Sequence, residues 1–241
     1  MRKRVFLVLL LVFSWAHAKE LLIGTTSQNP PFNSIADNRS HFYGFDIDIL
    51  GEICRRLKVE CKFKPVLFND LFTAVAANKI DLAIAAIIIT PYRQQQFLFS
   101  LPYLESNAQF LAKQNSQLTS PESIENKIVG TRLGTPFADF AREIYKNKIT
   151  IIEYPDIAEL LNGLNNDKVD AILMDAEAAK NWVSNNSDLY KLIGTQMPIG
   201  NGYGIMANPN QTQLVAQINQ ALLSMEADGT YIKIYSRYFI N

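Results

Sequence analysis

Asn78-Lys79-Ile80-Asp81-Leu82-Ala83-Ile84-Ala85-Ala86-Ile87-Ile88-Ile89 joins the end of one helical pattern to a long apolar run. From Ile80 to Ile89 the only charge is Asp81, and the run has half the roughly 20 apolar residues a membrane-spanning helix needs, so it suits a buried strand. A related junction, Asn166-Asp167-Lys168-Val169-Asp170, stands before the apolar run Val169 to Met174. Each junction follows an amphipathic helical pattern, and the pair predicts two lobes of related construction.

Working outward, the first run closes a series of alternating elements. Leu21 to Gly24 reads as a strand, and a helix from Phe45 carries Phe45, Ile49, Ile53 and Leu57 on one stripe, with Asp46, Asp48, Glu52, Arg55 and Arg56 elsewhere. Phe63 to Leu67 resumes a strand, a helix capped by Asn69 or Asp70 follows to about Asn78, and Asp81 to Ile89 is the next strand. The second series reads strand Lys127 to Thr131, helix Phe137 to Tyr145, strand Thr150 to Glu153, helix Ile157 to Asn166 and strand Val169 to Met174. Such alternation predicts α/β lobes, each a mostly parallel sheet flanked by helices. A tail helix over Gln211 to Met225 and an aromatic one over Tyr231 to Phe239 are expected to pack on the first lobe, with chain crossings near Pro102 to Gln109 and Met197 to Gly202.

At the start, Arg2, Lys3 and Arg4 precede apolar Val5 to Phe13, and Ala16-His17-Ala18 closes the segment, so residues 1–18 read as a secretory signal. The 223 residues left of 241 exceed the roughly 100 to 150 of a usual single-core domain, which favours two lobes. The chain has 23 basic and 23 acidic side chains, and without Arg2, Lys3 and Arg4 the balance is 20 to 23, no electrostatic footprint for nucleic acid. Cys54 and Cys61 are the only cysteines, and export favours a local disulfide over the alternative of two buried thiols. The residue directly after the expected signal is Lys19, not cysteine, so a lipid anchor is not expected. With His17 in the signal and only His41 beyond it, no metal site and no histidine catalysis are expected, and no cofactor motif occurs.

In open parallel sheets ligands sit beyond the carboxyl ends of strands. Thr90-Pro91-Tyr92-Arg93 follows one long strand, with proline placed to start a helix, and Asp175 follows the other. Arg93 is a candidate for holding a carboxylate and Asp175 for holding an ammonium group, which together would grip a zwitterion. A structural ion pair and a helix cap are the plainer roles for the two. Gly134 and Thr135, in a strand-to-helix turn, offer backbone access and a hydroxyl. Phe32 and Phe68 either line the cleft or belong to the core.

The order of Pro31-Phe32, Gly44-Phe45-Asp46-Ile47-Asp48, Lys79-Ile80-Asp81-Leu82, Ile89-Thr90-Pro91-Tyr92-Arg93, Phe99-Ser100-Leu101-Pro102-Tyr103, Val129-Gly130, Gly134-Thr135, Val169-Asp170-Ala171, Asp175 and Asp228-Gly229-Thr230-Tyr231 resembles the polar and basic amino-acid-binding proteins of ABC transporters, solute-binding protein family 3. The resemblance implies a type II periplasmic-binding-protein fold: a first lobe from residues 19–106 and 200–241, a second from 107–199, and hinge closure around the guest. It implies that Arg93 and Thr135 hold an α-carboxylate, that Asp175 and a carbonyl near Ala85 receive an α-ammonium, that Phe68 covers the side chain, and that Cys54 pairs with Cys61. A free L-amino acid, an inner-membrane permease, a periplasmic location and a monomeric state are what it implies for partners and place.

Three positions depart from the family pattern. Ile88 stands where serine or threonine is common, Asn29 where a stacking aromatic often stands, and Thr26 where binders of basic side chains often carry an acid. Arginine leads as the expected guest, on the Pro-Pro-Phe segment and the cysteine pair, with glutamine or another polar amino acid next. The alternatives are a periplasmic dehydratase of the cyclohexadienyl or arogenate type, with Asp175 as its acid, and a sensor that docks on a receptor.

Overall fold

The computed structural model describes residues 20–36, 41–146 and 148–240, and the signal expected over residues 1–18 lies outside them. Two five-stranded sheets share one spatial plan. In the first, Glu60–Pro65, Glu20–Thr25 and Leu82–Ala83 lie side by side in parallel, and Met206–Ala207 and Leu98–Phe99 complete it antiparallel. In the second, Thr150–Tyr154, Ile128–Arg132 and Ala171–Asp175 are parallel, followed by antiparallel Asn107–Lys113 and Tyr190–Pro198. Helices Phe45–Leu57 and Phe68–Ala76 cross over the first parallel set, and Phe137–Tyr145 and Ile157–Asn165 cross over the second, the αβ alternation read from the sequence.

The matching junctions have matching geometry. Asp81 Oδ2 accepts from the Leu22 amide at 2.8 Å, and Asp170 Oδ2 accepts from the Ile128 amide at 2.8 Å, so each aspartate fastens the start of the neighbouring strand. The residue before each lysine, Asn78 or Asp167, has positive φ (51° and 56°), which turns the chain from helix to strand.

The chain passes from the first sheet to the second between Phe99 and Asn107 and returns between Pro198 and Met206. The tail then packs on the first sheet's side. Leu214, Ile218, Leu222 and Met225 of helix Thr212–Ala227 are buried, and Phe45 meets Phe239 of helix Thr230–Phe239 at 4.9 Å between ring centroids, edge to face. Phe45, Ile49 and Ile53 are buried as their stripe predicts, each worth roughly 1.5 to 3 kcal/mol of apolar burial. Cys54 and Cys61 form the disulfide, tying helix Phe45–Leu57 to strand Glu60–Pro65.

Several local expectations are corrected. The strand expected at Phe63 to Leu67 runs Glu60–Pro65, and helix Phe68–Ala76 begins after Leu67, with no side-chain cap from Asn69 or Asp70. The strand expected over Asp81 to Ile89 keeps ladder pairing only at Leu82–Ala83, because Ala86 takes φ 49° and gives its amide to the Asp46 carboxylate at 2.8 Å. Asp46 itself, read from spacing as lying off the apolar stripe, is fully buried.

Candidate functional site

Thr90 caps the single helical turn Pro91–Gln94, accepting from the Arg93 amide, and this turn aims Arg93 between the lobes. The Arg93 side chain is nearly buried. Nη1 donates to the Ile88 carbonyl at 2.6 Å, and Nη2 donates to the Gly134 carbonyl of the opposite lobe at 2.7 Å. Its guanidinium carbon lies 4.8 Å from the Phe72 ring centroid and 5.8 Å from that of Phe68. Burial first, then the neighbouring Arg132 charge, lowers its pKa to about 10 against the pull of Asp175, so the group remains cationic at neutral pH.

Asp175 ends strand Ala171–Asp175 and precedes helix Ala176–Asn185, yet its carboxylate makes no cap bond to that helix. It turns inward instead. Oδ1 accepts from the Tyr203 hydroxyl at 2.8 Å, and Oδ2 lies 3.8 Å from Arg132 Nη2. Burial raises its pKa, opposed by Arg132 and by the Tyr203 hydrogen bond.

Arg132 and Tyr203 were not read from the sequence. Arg132 ends strand Ile128–Arg132 and is 3% exposed, with its guanidinium carbon 4.1 Å from the Phe68 ring centroid. The signal was present, for a cation at the carboxyl end of an otherwise apolar strand lies where ligands bind in such sheets. Tyr203 bridges to Ile88 and Leu104 in the returning segment, and a lone aromatic in a turn carries no comparable signal.

The other expected residues divide. Arg93, Gly134 and Thr135 line a cavity of about 650 Å³ between the lobes, while Thr26, Phe68 and Arg132 line a second of about 390 Å³. Asp175 opens on neither and is joined to this group through Arg132. Phe32 lies in the core, edge-on to Tyr203 at 5.2 Å. Thr135 turns its hydroxyl to the Arg132 carbonyl at 2.6 Å, and Thr26 donates to Asn33. Asn29 is buried with its side chain close to the Asp175 carboxylate, whose pKa it helps to lower against the rise that burial causes. Ala85 and the Ile88 side chain are buried in the segment that leads to Arg93. Behind the site, Asp46 accepts from Tyr103 Oη at 2.8 Å and Asn33 Nδ2 at 3.1 Å.

The chemistry available is a cation from one lobe and a carboxylate from the other, both dry enough to make ion pairs count. Among the described residues no three His, Cys, Asp or Glu side chains converge as a metal site, and no helix is long and apolar enough to cross a membrane.

The chain is similar to known proteins along most of its length. Residues 21–241 match the family model described as bacterial extracellular solute-binding proteins, family 3. The structure of an arginine 3rd transport system periplasmic binding protein from Legionella pneumophila is 46% identical with a TM-score of 0.88, over 92% of this chain and 100% of that one. An ancestral arginine-binding protein bound to glutamine is 32% identical with a TM-score of 0.84, over 92% and 98%. ABC transporter arginine-binding protein 1 of Escherichia coli (strain K12) is 29% identical over 99% of both chains.

Proposed function

The chain belongs to family 3 of the bacterial extracellular solute-binding proteins, and on that premise we propose that it captures one free L-amino acid between its lobes and delivers it to an ABC importer. The observation that carries the reading is the placement of buried Arg93 and buried Asp175 on opposite lobes, each engaged by a group across the gap. A guest α-carboxylate competes with the Gly134 carbonyl for Arg93, and a guest α-ammonium pairs with Asp175. Closure then turns about the two crossings, with residues 19–106 and 200–241 as one lobe and 107–199 as the other.

Arginine leads as the guest because the Legionella and Escherichia coli relatives are named for it, and glutamine, the guest named for the ancestral protein, follows. Export by residues 1–18, a periplasmic location, a monomer and a permease partner complete the proposal, supported by the relatives' place in transport systems. We assign no catalytic step. The raised pKa of Asp175 would suit a general acid, so conversion of prephenate or arogenate to an aromatic product is the observation that would turn the reading to a dehydratase.

The direct test is a thermal-shift panel of the twenty amino acids. A guest at a hundredfold excess over its Kd adds about 2.7 kcal/mol of stability, a readily measured rise in melting temperature. A flat response to all twenty removes the proposal.

A further inference from the structure

Asp46 is a fully buried carboxylate on an otherwise apolar face of helix Phe45–Leu57, and it lines neither cavity between the lobes. Burying a carboxylate is costly unless its oxygens are matched, and three separate parts of the molecule match these. Oδ2 accepts from the Ala86 amide at 2.8 Å and from Asn33 Nδ2 at 3.1 Å, and Oδ1 accepts from the Tyr103 hydroxyl at 2.8 Å. Each donor leads on to the guest site. Ala86 is held in left-handed backbone, φ 49°, next to Ala85, and an alanine in that sparsely populated region points to a constraint imposed for function. Tyr103 gives its amide to the Tyr203 carbonyl at 2.9 Å, joining the outgoing chain crossing to the returning one, and the Tyr203 hydroxyl reaches Asp175. Asn33 accepts in turn from Thr26, at the wall of the 390 Å³ cavity.

We infer that Asp46 is a positioning residue for the guest's α-ammonium: without touching the guest, it pins the Ala86 turn and the Tyr103–Tyr203 crossing and so sets Ala85 and Asp175 in place to receive that group. This rests on the reading that Asp175 and the Ala85 carbonyl hold the ammonium. The ionisable groups that act on Asp46 or feel its charge are Tyr103 and Tyr203 of the crossings and Asp175 and Arg132 of the second lobe. Burial raises the Asp46 pKa to about 6, and the negative charge of Asp175 adds to the rise. A guest ammonium that neutralises Asp175 should therefore bring the Asp46 pKa down.

Calorimetric titration of the parent, Asp46→Asn and Asp46→Leu at neutral pH tests this. The guest is whichever of the twenty L-amino acids gives the largest thermal shift, set beside its des-amino analogue, which carries hydrogen in place of the α-ammonium. Asp46→Leu should weaken the amino acid by about tenfold or more and the analogue by less than about threefold, since only the ammonium side of the site is released. Asp46→Asn keeps an oxygen for Ala86 and Asn33 and should stay within about threefold of the parent. Equal losses for amino acid and analogue, parent affinity in the leucine variant, or an asparagine variant as weak as the leucine one overturns the role of Asp46. If the leucine variant does not fold, or the analogue binds too weakly to titrate, the Ala86 amide resonance of the parent decides. Its shift should follow the Asp46 titration near pH 6, and excess guest should move the midpoint down by about half a unit or more. An unmoved midpoint overturns the inference and leaves the amino-acid reading standing, whereas silence of all twenty guests defeats that reading itself.

Discussion

Tyr203 donates its hydroxyl hydrogen to Asp175 Oδ1 at 2.8 Å, tying the end of a strand in the second sheet to the segment that returns the chain to the first. Burial raises the Asp175 pKa, and this bond is among the influences that bring it back down. A guest ammonium needs the ionised form, so affinity should fall as pH drops through the folded pKa. Tyr203→Phe removes one lowering influence, and the fall should begin at a higher pH than in the parent. Titrating the best guest from neutral to acid pH in both proteins measures it, and superimposable profiles would reject the assignment of Asp175 to the ammonium.

Asp46 makes a separate prediction about stability. Burial raises its pKa from 3.8 to about 6 despite hydrogen bonds from Tyr103, Ala86 and Asn33. The folded chain therefore holds this proton more tightly than the unfolded one, and the stability tied to it is complete below pH 3.8 and lost as pH rises to about 6. At about 1.36 kcal/mol per unit, the loss is on the order of 3 kcal/mol. Asp46→Asn imitates the protonated form, keeping an oxygen for Ala86 and Asn33 and offering Tyr103 an N–H. Its advantage in urea midpoint over the parent should therefore open between about pH 4 and about pH 7. A constant difference across that range would show that Asp46 does not titrate with a raised pKa.

The second lobe was nearly legible in the sequence, and the contrast with the first is physical. Phe137–Tyr145 and Ile157–Asn165 have clear helical periods, and Asp156 accepts from the Glu159 amide at 2.8 Å as a cap. The unbroken apolar run to Ile89 gives no local sign of its interruption at Ala86, since the group responsible, Asp46, lies forty residues away in sequence. Arg93 and Asp175 stand out in the sequence because each comes just after a long apolar run. Phe32 was not decidable between cleft and core, because an aromatic in a loop shows its burial only once Tyr203 is placed beside it.

The Cys54–Cys61 bridge closes a loop with a sequence separation of 7. The chain-entropy model assigns such a loop about 2.5 kcal/mol, through restriction of the unfolded state. Replacing both cysteines by serine should lower the urea stability by about that amount and leave guest affinity unchanged, since the bridge lies outside the residues assigned to the guest. Equal unfolding midpoints with and without reductant would contradict the contribution.

Gly134 is where closure and backbone conformation meet. Its φ of +80° favours glycine, and a Cβ built there would stand 2.8 Å from Asn69 Oδ1 and 3.1 Å from Asn69 Cα, atoms of the facing lobe. The Asn69 side chain can swing away, but its Cα belongs to helix Phe68–Ala76, whose buried face fixes the backbone. Gly134→Ala should therefore hold the lobes apart, lengthening the Arg93 to Gly134 hydrogen bond that closure makes at 2.7 Å. The guest would then meet Arg93 and Asp175 one at a time, and affinity should drop by about tenfold or more, since each lost 1.4 kcal/mol is a factor of ten. The unliganded variant pays a backbone cost of about 1 to 2 kcal/mol for an alanine in the left-handed region, so its melting temperature falls only modestly. Parent-like affinity together with parent-like compaction by small-angle scattering on adding guest would show that closure does not bring Gly134 against Asn69.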